Sequence, residues 1–350
     1  MIKIVKLFLY PFALLYDLIT RFRNHLYDVG QKPSFTFDIP VVAVGNLNVG
    51  GSGKTPMIEY LVRLLKDNFA VATLSRGYRR KTTGYRSAKA SDTARSIGDE
   101  PFQLFKKFGS GVRVVVGEER IAAIPNILQE FPDTNVILLD DAFQHRAVKP
   151  QLSILVTDYA QPFYNDFVMP LGHLREARKG ASRADVIVVT KCDEQISTSQ
   201  RDQMKLEIRN YAGDKPVFFT GIRYMRPVPF GNRSIEEKSI IIVSGIAKTG
   251  SLEAFCNSNY TVIRHFNFPD HHHYSTRDVS DIEAFYKSQS IPVSVITTEK
   301  DMVKLLSSDM KPFVDRLPWF YLPIEQYFLE DGLKFDEAIL HSVTNALATE

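Results

Sequence analysis

The chain has 350 residues, of which 44% are hydrophobic and 24% are charged, and its formal net charge is +3. This composition is that of a folded protein, and it excludes a disordered chain, a collagen-like chain and a polytopic membrane protein. The small net charge argues against a general nucleic-acid binder. The two cysteines, Cys192 and Cys256, follow no metal-ligand spacing, so neither a disulfide framework nor a zinc module is predicted, and a reducing, cytosol-facing compartment fits. Two domains are expected at this length.

Residues 1–30 are predicted to form an apolar helix at a membrane interface. Their longest charge-free run, 7–16, contains Pro11 and is shorter than the roughly 20 apolar residues that a spanning helix needs. No small-residue cleavage site follows, which argues against a secretory signal peptide. The run is flanked by the basic residues Lys3, Lys6, Arg21 and Arg23. Such a helix can lie among lipid headgroups, and the alternative is a core helix packed on the rest of the chain.

From residue 39 the sequence alternates between short apolar runs, typical of buried strands, and segments with helical spacing. Strands are predicted at 39–44, 70–74, 113–116, 136–139, 152–156, 186–189 and 217–220. Helices are predicted at 55–67, 101–108, 118–131 and 199–211. Buried strands separated by helices indicate a parallel sheet covered on both faces, so residues 31–220 are predicted to form one α/β/α domain.

Residues 221–237 interrupt this alternation with proline, glycine and charged residues, and they are predicted to be a linker. A second alternation follows, with strands at 239–243, 262–266, 293–296 and 319–322 and helices at 251–257, 276–289, 299–306 and 335–347. Residues 238–350 are therefore predicted to form a second, smaller α/β domain.

The strongest motif is a glycine-rich loop between the first strand and the next helix. It consists of Asn48, Val49, Gly50, Gly51, Ser52, Gly53, Lys54 and Thr55. In this context backbone N–H groups wrap the phosphates of a nucleotide, Lys54 adds a positive charge, and the Thr55 hydroxyl would bind Mg²⁺. Asn48 stands where most such loops have their first glycine.

A second motif supplies acidic groups for the metal. The apolar strand 136–139 ends in Asp140 and Asp141, at the edge of a parallel sheet where ligands bind. Together with the upstream loop, these carboxylates predict a nucleotide site that holds Mg²⁺. The spacing does not show which of the two contacts the ion.

These two motifs are shared by ATPases, GTPases and kinases. The stretch 189–193 is similar to a guanine-reading motif, but Thr190 replaces the asparagine whose amide reads the base. A kinase needs further groups, and the candidates are Asp99 with Glu100, the basic run 75–81, and the stretch 270–273. Each has a simpler explanation: charges at a helix N-terminus, a solvated loop, and histidines that are too close in sequence to bind one metal ion.

Taken together, the chain resembles the tetraacyldisaccharide 4'-kinases, the lipid A 4'-kinases of Gram-negative bacteria. The matching stretches, in the family's order, are VGN (44–46), GGSGKTP (50–56), LSRGY (74–78), GDEP (98–101), VG-x-x-R (116–120), LLDDAFQHR (138–146), PLGHLRE (170–176), FPDHH (268–272) and TTEKD (297–301). The combination is highly specific, and Asn48 is not a departure from this family.

The resemblance implies an ATP-dependent kinase that transfers the γ-phosphate, with Mg²⁺, to the 4'-hydroxyl of a tetraacylated glucosamine disaccharide 1-phosphate, which yields lipid IVA. It implies a P-loop α/β/α domain with a smaller α/β/α domain, at the cytoplasmic face of the inner membrane. Asp99 matches the proposed catalytic base, paired with His271 or, as an alternative, His272. Arg76 and Tyr78 match positions that face nucleotide or substrate, while Gln144, His145 and Arg146 match positions without an assigned role.

Two other functions compete with this hypothesis. One is a P-loop GTPase or ATPase that switches a partner or inserts a metal, and the other is a membrane-bound nucleotide-binding adaptor. Neither a nucleic acid nor an obligatory protein partner is expected. Because Asp99 and His271 lie in different sequence units, we expect residues 221–237 to act as a hinge that completes the site on closure.

Overall fold

A nine-stranded sheet and a five-stranded sheet organise the chain in a computed structural model, which describes residues 2–233, 237–307 and 309–348, with side chains from residue 8. The helices are α1 (Ile2–Asp28), α2 (Lys54–Leu65), α3 (Ala94–Ile97), α4 (Asp99–Phe108), α5 (Arg120–Glu130), α6 (Thr198–Ala212), α7 (Gly250–Asn259), α8 (Thr276–Lys287), α9 (Glu299–Leu305), α10 (Lys311–Val314) and α11 (Gly332–Ala348). The strands are β1 (Val41–Gly45), β2 (Val71–Ser75), β3 (Arg86–Ser87), β4 (Arg113–Val116), β5 (Val136–Asp140), β6 (Leu152–Asp158), β7 (Val186–Thr190), β8 (Val217–Tyr224), β9 (Val228–Pro229), β10 (Ser239–Ser244), β11 (Thr261–Asn267), β12 (Ser294–Thr298), β13 (Trp319–Leu322) and β14 (Ile324–Phe328).

The large sheet has the order β14-β8-β7-β6-β1-β5-β2-β4-β3, and its strands from β8 to β4 are parallel. Strands β1 and β5 are buried along their whole length, because helices cover both faces of the sheet. The apolar runs of the sequence therefore become central strands, and the predicted α/β fold is confirmed. The glycine-rich loop and the acidic pair both follow central strands at their carboxyl ends.

The small sheet has the order β11-β10-β12-β13-β9, and only β9 runs antiparallel to its neighbour. One face packs around the fully buried Trp319 together with Val279 and Ile282 of α8. The other face packs against α7 through Leu252 and Cys256. This second unit, with helices on both faces of its sheet, is the smaller α/β/α unit that the sequence predicts.

The C-terminal segment departs from the predicted domain boundary. Strand β14 pairs antiparallel with β8 at the edge of the large sheet. Along α11, Phe335, Ile339 and Val343 lie on one apolar stripe and pack into the core of the large unit. Assigning all of 238–350 to the small unit is therefore wrong for β14 and α11, since their apolar faces complete the large core.

The connection between the units is also shorter than the predicted linker 221–237. Residues 221–224 belong to strand β8, and β9 already pairs with the small sheet. The chain returns between β13 and β14 at Pro323. The backbone N–H of Met225 donates to the carbonyl of Pro323 at 2.8 Å, so the two crossings lie side by side.

Helix α1 continues through Pro11 and leaves a broad apolar face exposed. The exposed side chains on this helix include Phe8, Phe12, Leu15, Ile19 and Phe22. No helix among the described residues combines the length and apolar character that crossing a bilayer requires. Polar contacts hold the other side of α1 to the large unit, for example from the Tyr16 hydroxyl to the Arg175 carbonyl at 3.0 Å.

Candidate active site

The glycine-rich loop ends where helix α2 begins, so the N-terminus of a twelve-residue helix points into the loop. Gly53, the last residue before α2, has a φ of +86°, a conformation that glycine adopts without strain. A Cβ atom at Gly53 would also come within 3.0 Å of the Thr190 hydroxyl oxygen. Glycine is therefore required at position 53, both for its backbone conformation and because a side chain would collide with Thr190.

Asn46 fixes the loop from inside the protein. Its buried side-chain amide donates to the Asn48 carbonyl at 2.7 Å and to the Ser52 hydroxyl at 2.6 Å. Its amide oxygen accepts from the Lys54 ammonium at 3.3 Å. Asn46 belongs to the VGN stretch, yet the sequence alone suggested no role for its side chain.

Thr190 and Lys191, from the stretch that resembled a guanine-reading motif, hold the outside of the same loop. The Thr190 hydroxyl donates to the Ser52 carbonyl at 2.7 Å, and the Lys191 ammonium donates to the Gly51 carbonyl. Two N–H groups of the loop are already bonded, that of Val49 to the His173 carbonyl at 2.7 Å and that of Ser52 to the Gly50 carbonyl at 2.9 Å, so the other N–H groups of the loop are the ones suited to phosphate oxygens. The Asp193 carboxylate accepts from the backbone N–H of Gln195 at 3.0 Å, so it caps its own turn.

The two carboxylates that end β5 have different surroundings. Asp141, at a φ of +50°, accepts from Arg175 at 2.9 and 3.0 Å and lies 3.6 Å from the Lys54 ammonium. Although burial alone would raise the pKa of Asp141, Lys54 and Arg175 hold that pKa below its usual range. Asp140 is buried, and burial together with the charges of Glu100 and Asp141 raises its pKa.

One oxygen of Asp140 fits a cation. Its Oδ1 is buried and has no hydrogen-bond partner among the described residues. No group of three or more His, Cys, Asp or Glu side chains in the described ranges is arranged to hold a metal ion. Mg²⁺ is commonly bound by one or two carboxylates together with water and substrate phosphates, so Asp140 and the Thr55 hydroxyl suit that ion. Asp141, in contrast, is already paired with the cationic side chains of Lys54 and Arg175.

Asp99 is the first residue of α4, rather than part of a loop before the helix as predicted. The preceding Gly98 packs against the backbone of Gly77, where an added Cβ atom would come within 3.2 Å. This close approach joins the GDEP and LSRGY stretches and places Tyr78 beside the site. The Tyr78 ring lies edge-on to the His271 ring, with centroids 5.8 Å apart.

His271 and Asp99 meet across the two units. His271 Nδ1 lies 3.5 Å from a carboxylate oxygen of Asp99, while His271 Nε2 lies 3.3 Å from the Lys300 ammonium. Burial would raise the pKa of Asp99, but the hydrogen bond from His271 and the charges of Lys304 and Lys300 lower it. The dyad is already formed in this structure.

His272, the other predicted candidate, lies elsewhere. Its Nε2 atom is 3.0 Å from the Asp278 carboxylate, and its ring stacks on Phe268 at 4.5 Å. Because His271 and His272 contact different carboxylates, they do not form one metal site.

A cluster of cationic side chains lies beside the acidic pair. Arg120 is buried, and burial lowers its pKa while the charges of Asp140 and Asp141 oppose that shift. Burial, together with the charges of Arg120, Arg23 and Arg76, lowers the pKa of His145 to about 4. The His145 Nε2 atom is buried and has no partner within the described part of the chain. Such a cluster is suited to an anionic group, and the sequence assigned neither Arg120 nor Arg23 to the site.

Helix α1 is tied to this region through Gln144. The Arg23 guanidinium donates to the Gln144 carbonyl, and Asn24 donates to the Glu176 carboxylate at 2.7 Å. The Gln144 side chain in turn donates to the Asn46 carbonyl at 2.8 Å. A continuous set of hydrogen bonds therefore connects the exposed helix with the residue that fixes the glycine-rich loop.

Comparison with known proteins gives a consistent result. The sequence matches the family described as tetraacyldisaccharide-1-P 4'-kinase over residues 5–344. It is 43% identical to the tetraacyldisaccharide 4'-kinase of Flavobacterium psychrophilum, over 97% of both chains. It is 40% identical to that of Bacteroides thetaiotaomicron, over 97% of this chain and 93% of the relative. A crystal structure of LpxK from Aquifex aeolicus in complex with ATP is 29% identical, with a TM-score of 0.74 over 97% of this chain and 99% of that one.

Proposed function

Because the chain belongs to the tetraacyldisaccharide-1-P 4'-kinase family, we propose how its residues carry out the reaction of that family. The protein is an ATP-dependent kinase of lipid A biosynthesis, which phosphorylates the 4'-hydroxyl of tetraacyldisaccharide 1-phosphate. The observation that carries the site assignment is the Asp99–His271 contact beside a glycine-rich phosphate loop. The roles below rest on that geometry.

The loop 48–55 binds the ATP phosphates. The backbone N–H groups and the α2 N-terminus face the β- and γ-phosphates, and Lys54 neutralises the charge that develops on the transferred group. Asn46 and Asp141 hold the Lys54 ammonium at 3.3 and 3.6 Å, so the lysine is oriented before nucleotide binds. This preorganisation is worth more in a partly buried site than in water.

Asp99 and His271 act as one base unit for the acceptor hydroxyl. A carboxylate whose pKa lies below its usual range holds a proton poorly on its own. Phosphoryl transfer passes through a loose transition state, however, so the hydroxyl proton can leave late and orientation matters most. His271 orients the Asp99 carboxylate by donating its Nδ1–H to it, and Asp99 takes up the hydroxyl proton.

Asp140 and Thr55 hold Mg²⁺, and Asp141 positions Lys54 and Arg175. The support is the buried Asp140 Oδ1 atom, which has no hydrogen-bond partner in the described ranges, in contrast to the carboxylate of Asp141, which pairs with Arg175 and Lys54. With Asp140 and Thr55 as its protein ligands, the ion would supply positive charge to offset the charge on the phosphates. For this role the Asp140 carboxylate must be ionised.

The acceptor lies on the side of the site formed by Tyr78 and the cationic cluster. The charges of Asp140 and Asp141 act on the pKa of Arg120, and the positive charges of Arg76, Arg120 and Arg23 all act on that of His145. These charges suit the anionic 1-phosphate of the disaccharide, while Tyr78 offers an exposed ring near His271 for a sugar. The resemblance implies that Arg76 and Tyr78 face nucleotide or substrate, and we propose that both face the acceptor.

Helix α1 docks the enzyme on the cytoplasmic face of the inner membrane. An acceptor with four acyl chains stays in the bilayer, so the site must reach the headgroups. The exposed side chains of Phe8, Phe12 and Ile19 can enter the acyl boundary while Arg23 lies at the level of the active site. We also propose that the crossings at Met225 and Pro323 are the hinge between the two units, which is supported by the single hydrogen-bonded crossing point that they form.

The deciding experiment is transfer of radiolabelled phosphate from ATP to purified tetraacyldisaccharide 1-phosphate in mixed micelles, with wild type and Asp99→Ala compared. Transfer by wild type and a loss of roughly 10²-fold or more in the variant support the proposal. Equal transfer by both proteins would remove Asp99 from the mechanism. ATP hydrolysis without acceptor, and no transfer, would favour a nucleotide switch.

A further inference from the structure

A buried cluster of charges joins three helices at the boundary between the two units. Glu59 of α2 and Glu299 of α9 are 1% and 6% exposed. The Lys107 ammonium, from α4, lies 2.6 Å from Glu59 and 3.0 Å from Glu299. Gln103 donates to the second oxygen of Glu59 at 2.8 Å. Both carboxylates therefore share the Lys107 cation, and Glu59 also lies 3.8 Å from the Arg63 guanidinium.

Each of these helices carries an active-site group at another point. Helix α2 begins with Lys54, and α4 begins with Asp99. Helix α9 carries Lys300, which contacts His271, and Glu299 is its first residue. Lys107 thus links the three helices that carry Lys54, Asp99 and Lys300. It lies two helical turns from Asp99 and touches none of the reacting groups.

The Lys107–Glu299 contact is the part of the cluster that crosses between the units. Glu59 and Lys107 both belong to the large unit, whereas Glu299 belongs to the small one. Glu299 also accepts a hydrogen bond from the backbone of Ile324, where the chain returns to the large sheet. The surrounding contact is apolar, since Met302 and Val303 of α9 pack on Ile97 and Phe102. An apolar surface alone tolerates sliding, and a buried ion pair defines one register.

We propose that Lys107 is a positioning residue, and that its ion pair with Glu299 is the latch that holds His271 at Asp99. The proposal rests on the kinase mechanism above and adds a residue that none of the motifs in the sequence indicated. The Lys107–Glu59 ion pair keeps α2 and α4 in register. The Lys107–Glu299 ion pair fixes α9 of the small unit against these two helices. Breaking the latch should misplace His271 and leave the ATP site intact.

Glu299→Gln is the informative variant, because it removes the interunit ion pair and leaves Lys107 neutralised by Glu59. We expect kcat to fall about 10-fold or more, since displacements near 1 Å at a reacting centre cost up to 10²-fold, while KM for ATP changes less than 2-fold. Lys107→Met should lower kcat as well, and the double variant should be no worse than Lys107→Met. Additive losses, or an unchanged kcat in Glu299→Gln, would overturn the proposal.

Glu283→Gln is the matched control. Glu283 is a similarly buried carboxylate, but its partners Lys287 and Arg316 lie in the small unit with it. It should lower thermal stability without lowering kcat. An equal loss of kcat in Glu283→Gln would show that stability of the small unit, rather than the latch, explains the effect.

A distance measurement tests the latch independently of activity. Spin labels at Asp67→Cys and Asp281→Cys report on the two units from exposed positions, and both native cysteines are buried. Double electron–electron resonance should give one narrow distance for the otherwise wild-type protein and a broader or longer distribution for Glu299→Gln. Identical distributions would overturn the latch even if the kinase mechanism holds. If wild type transfers no phosphate, the distance result still decides the latch.

Discussion

His271 and Asp99 lie 3.5 Å apart, although one belongs to the small unit and the other begins a helix of the large unit. His271 reaches this position with a φ of +59°, which is unusual for a residue with a side chain. Backbone conformations of this kind cluster at functional sites, where the surrounding structure holds them.

Asp99→Asn and His271→Gln should each lower kcat about 10²-fold, because either change breaks the base unit. The double variant should be little worse than the worse single variant, since residues that act together are not additive. Single-turnover transfer measures this directly. His272→Gln is the control, because its partner Asp278 lies away from the site, and a loss equal to that of His271→Gln would contradict the assignment.

Asp140→Asn and Asp141→Asn should separate the metal ligand from the positioning carboxylate. Asp140→Asn should raise the Mg²⁺ concentration for half-maximal activity about 10-fold or more, because it removes a charged ligand. Asp141→Asn should lower kcat with little change in Mg²⁺ dependence, because it releases Lys54 and Arg175. The reverse pattern in a Mg²⁺ titration would exchange the two roles.

Thr190→Val should weaken ATP binding without creating a preference for GTP. The variant loses the hydrogen bond that holds the Ser52 carbonyl, so KM for ATP should rise about 5- to 10-fold, as expected for one buried hydrogen bond. Thr190→Ser keeps the hydroxyl and should bind ATP like wild type. Efficient use of GTP by wild type would instead support base reading by this stretch.

Replacing Phe8, Phe12 and Ile19 by serine should weaken binding to anionic vesicles by at least about 10²-fold, since each apolar side chain contributes roughly 1.5–3 kcal/mol when buried. Deletion of residues 1–20 should lower transfer on vesicles far more than ATP binding. Leu333→Ser removes an exposed leucine on α11 and should change neither. Unchanged transfer on vesicles by the deletion variant would refute membrane docking through α1.

Acid should destabilise the protein through His145. Its pKa of about 4 in the folded chain lies below the value of 6.5 for an unperturbed histidine, so between these values the unfolded chain binds more protons. The free energy of unfolding therefore falls as pH decreases from 6.5 to 4, by about 1–2 kcal/mol for this partly screened group. Urea unfolding of wild type and His145→Gln across this range isolates the contribution.

The sequence predicts where the glycine-rich loop and the acidic pair lie in the fold, because each is a local motif at the carboxyl end of a buried strand. It does not show which sheet a strand joins, so the return of β14 and α11 to the large unit escaped prediction. Arg120 and Arg175 were missed as site residues for the same reason, because the charges of Asp140 and Asp141 act on them from another part of the sequence, which only the assembled sheet brings near. Asn46 was missed although its side-chain partners are close in sequence, because an asparagine carries no signal of where its amide bonds.

The side-by-side crossings at Met225 and Pro323 have a mechanical consequence. Two hydrogen-bonded segments form a ribbon, which bends readily perpendicular to its face and resists bending within its plane. For the hinge proposed above, we therefore expect the small unit to move mainly in one direction. Opening and closing would then follow a single coordinate, which the distance between Asp99 and His271 would measure.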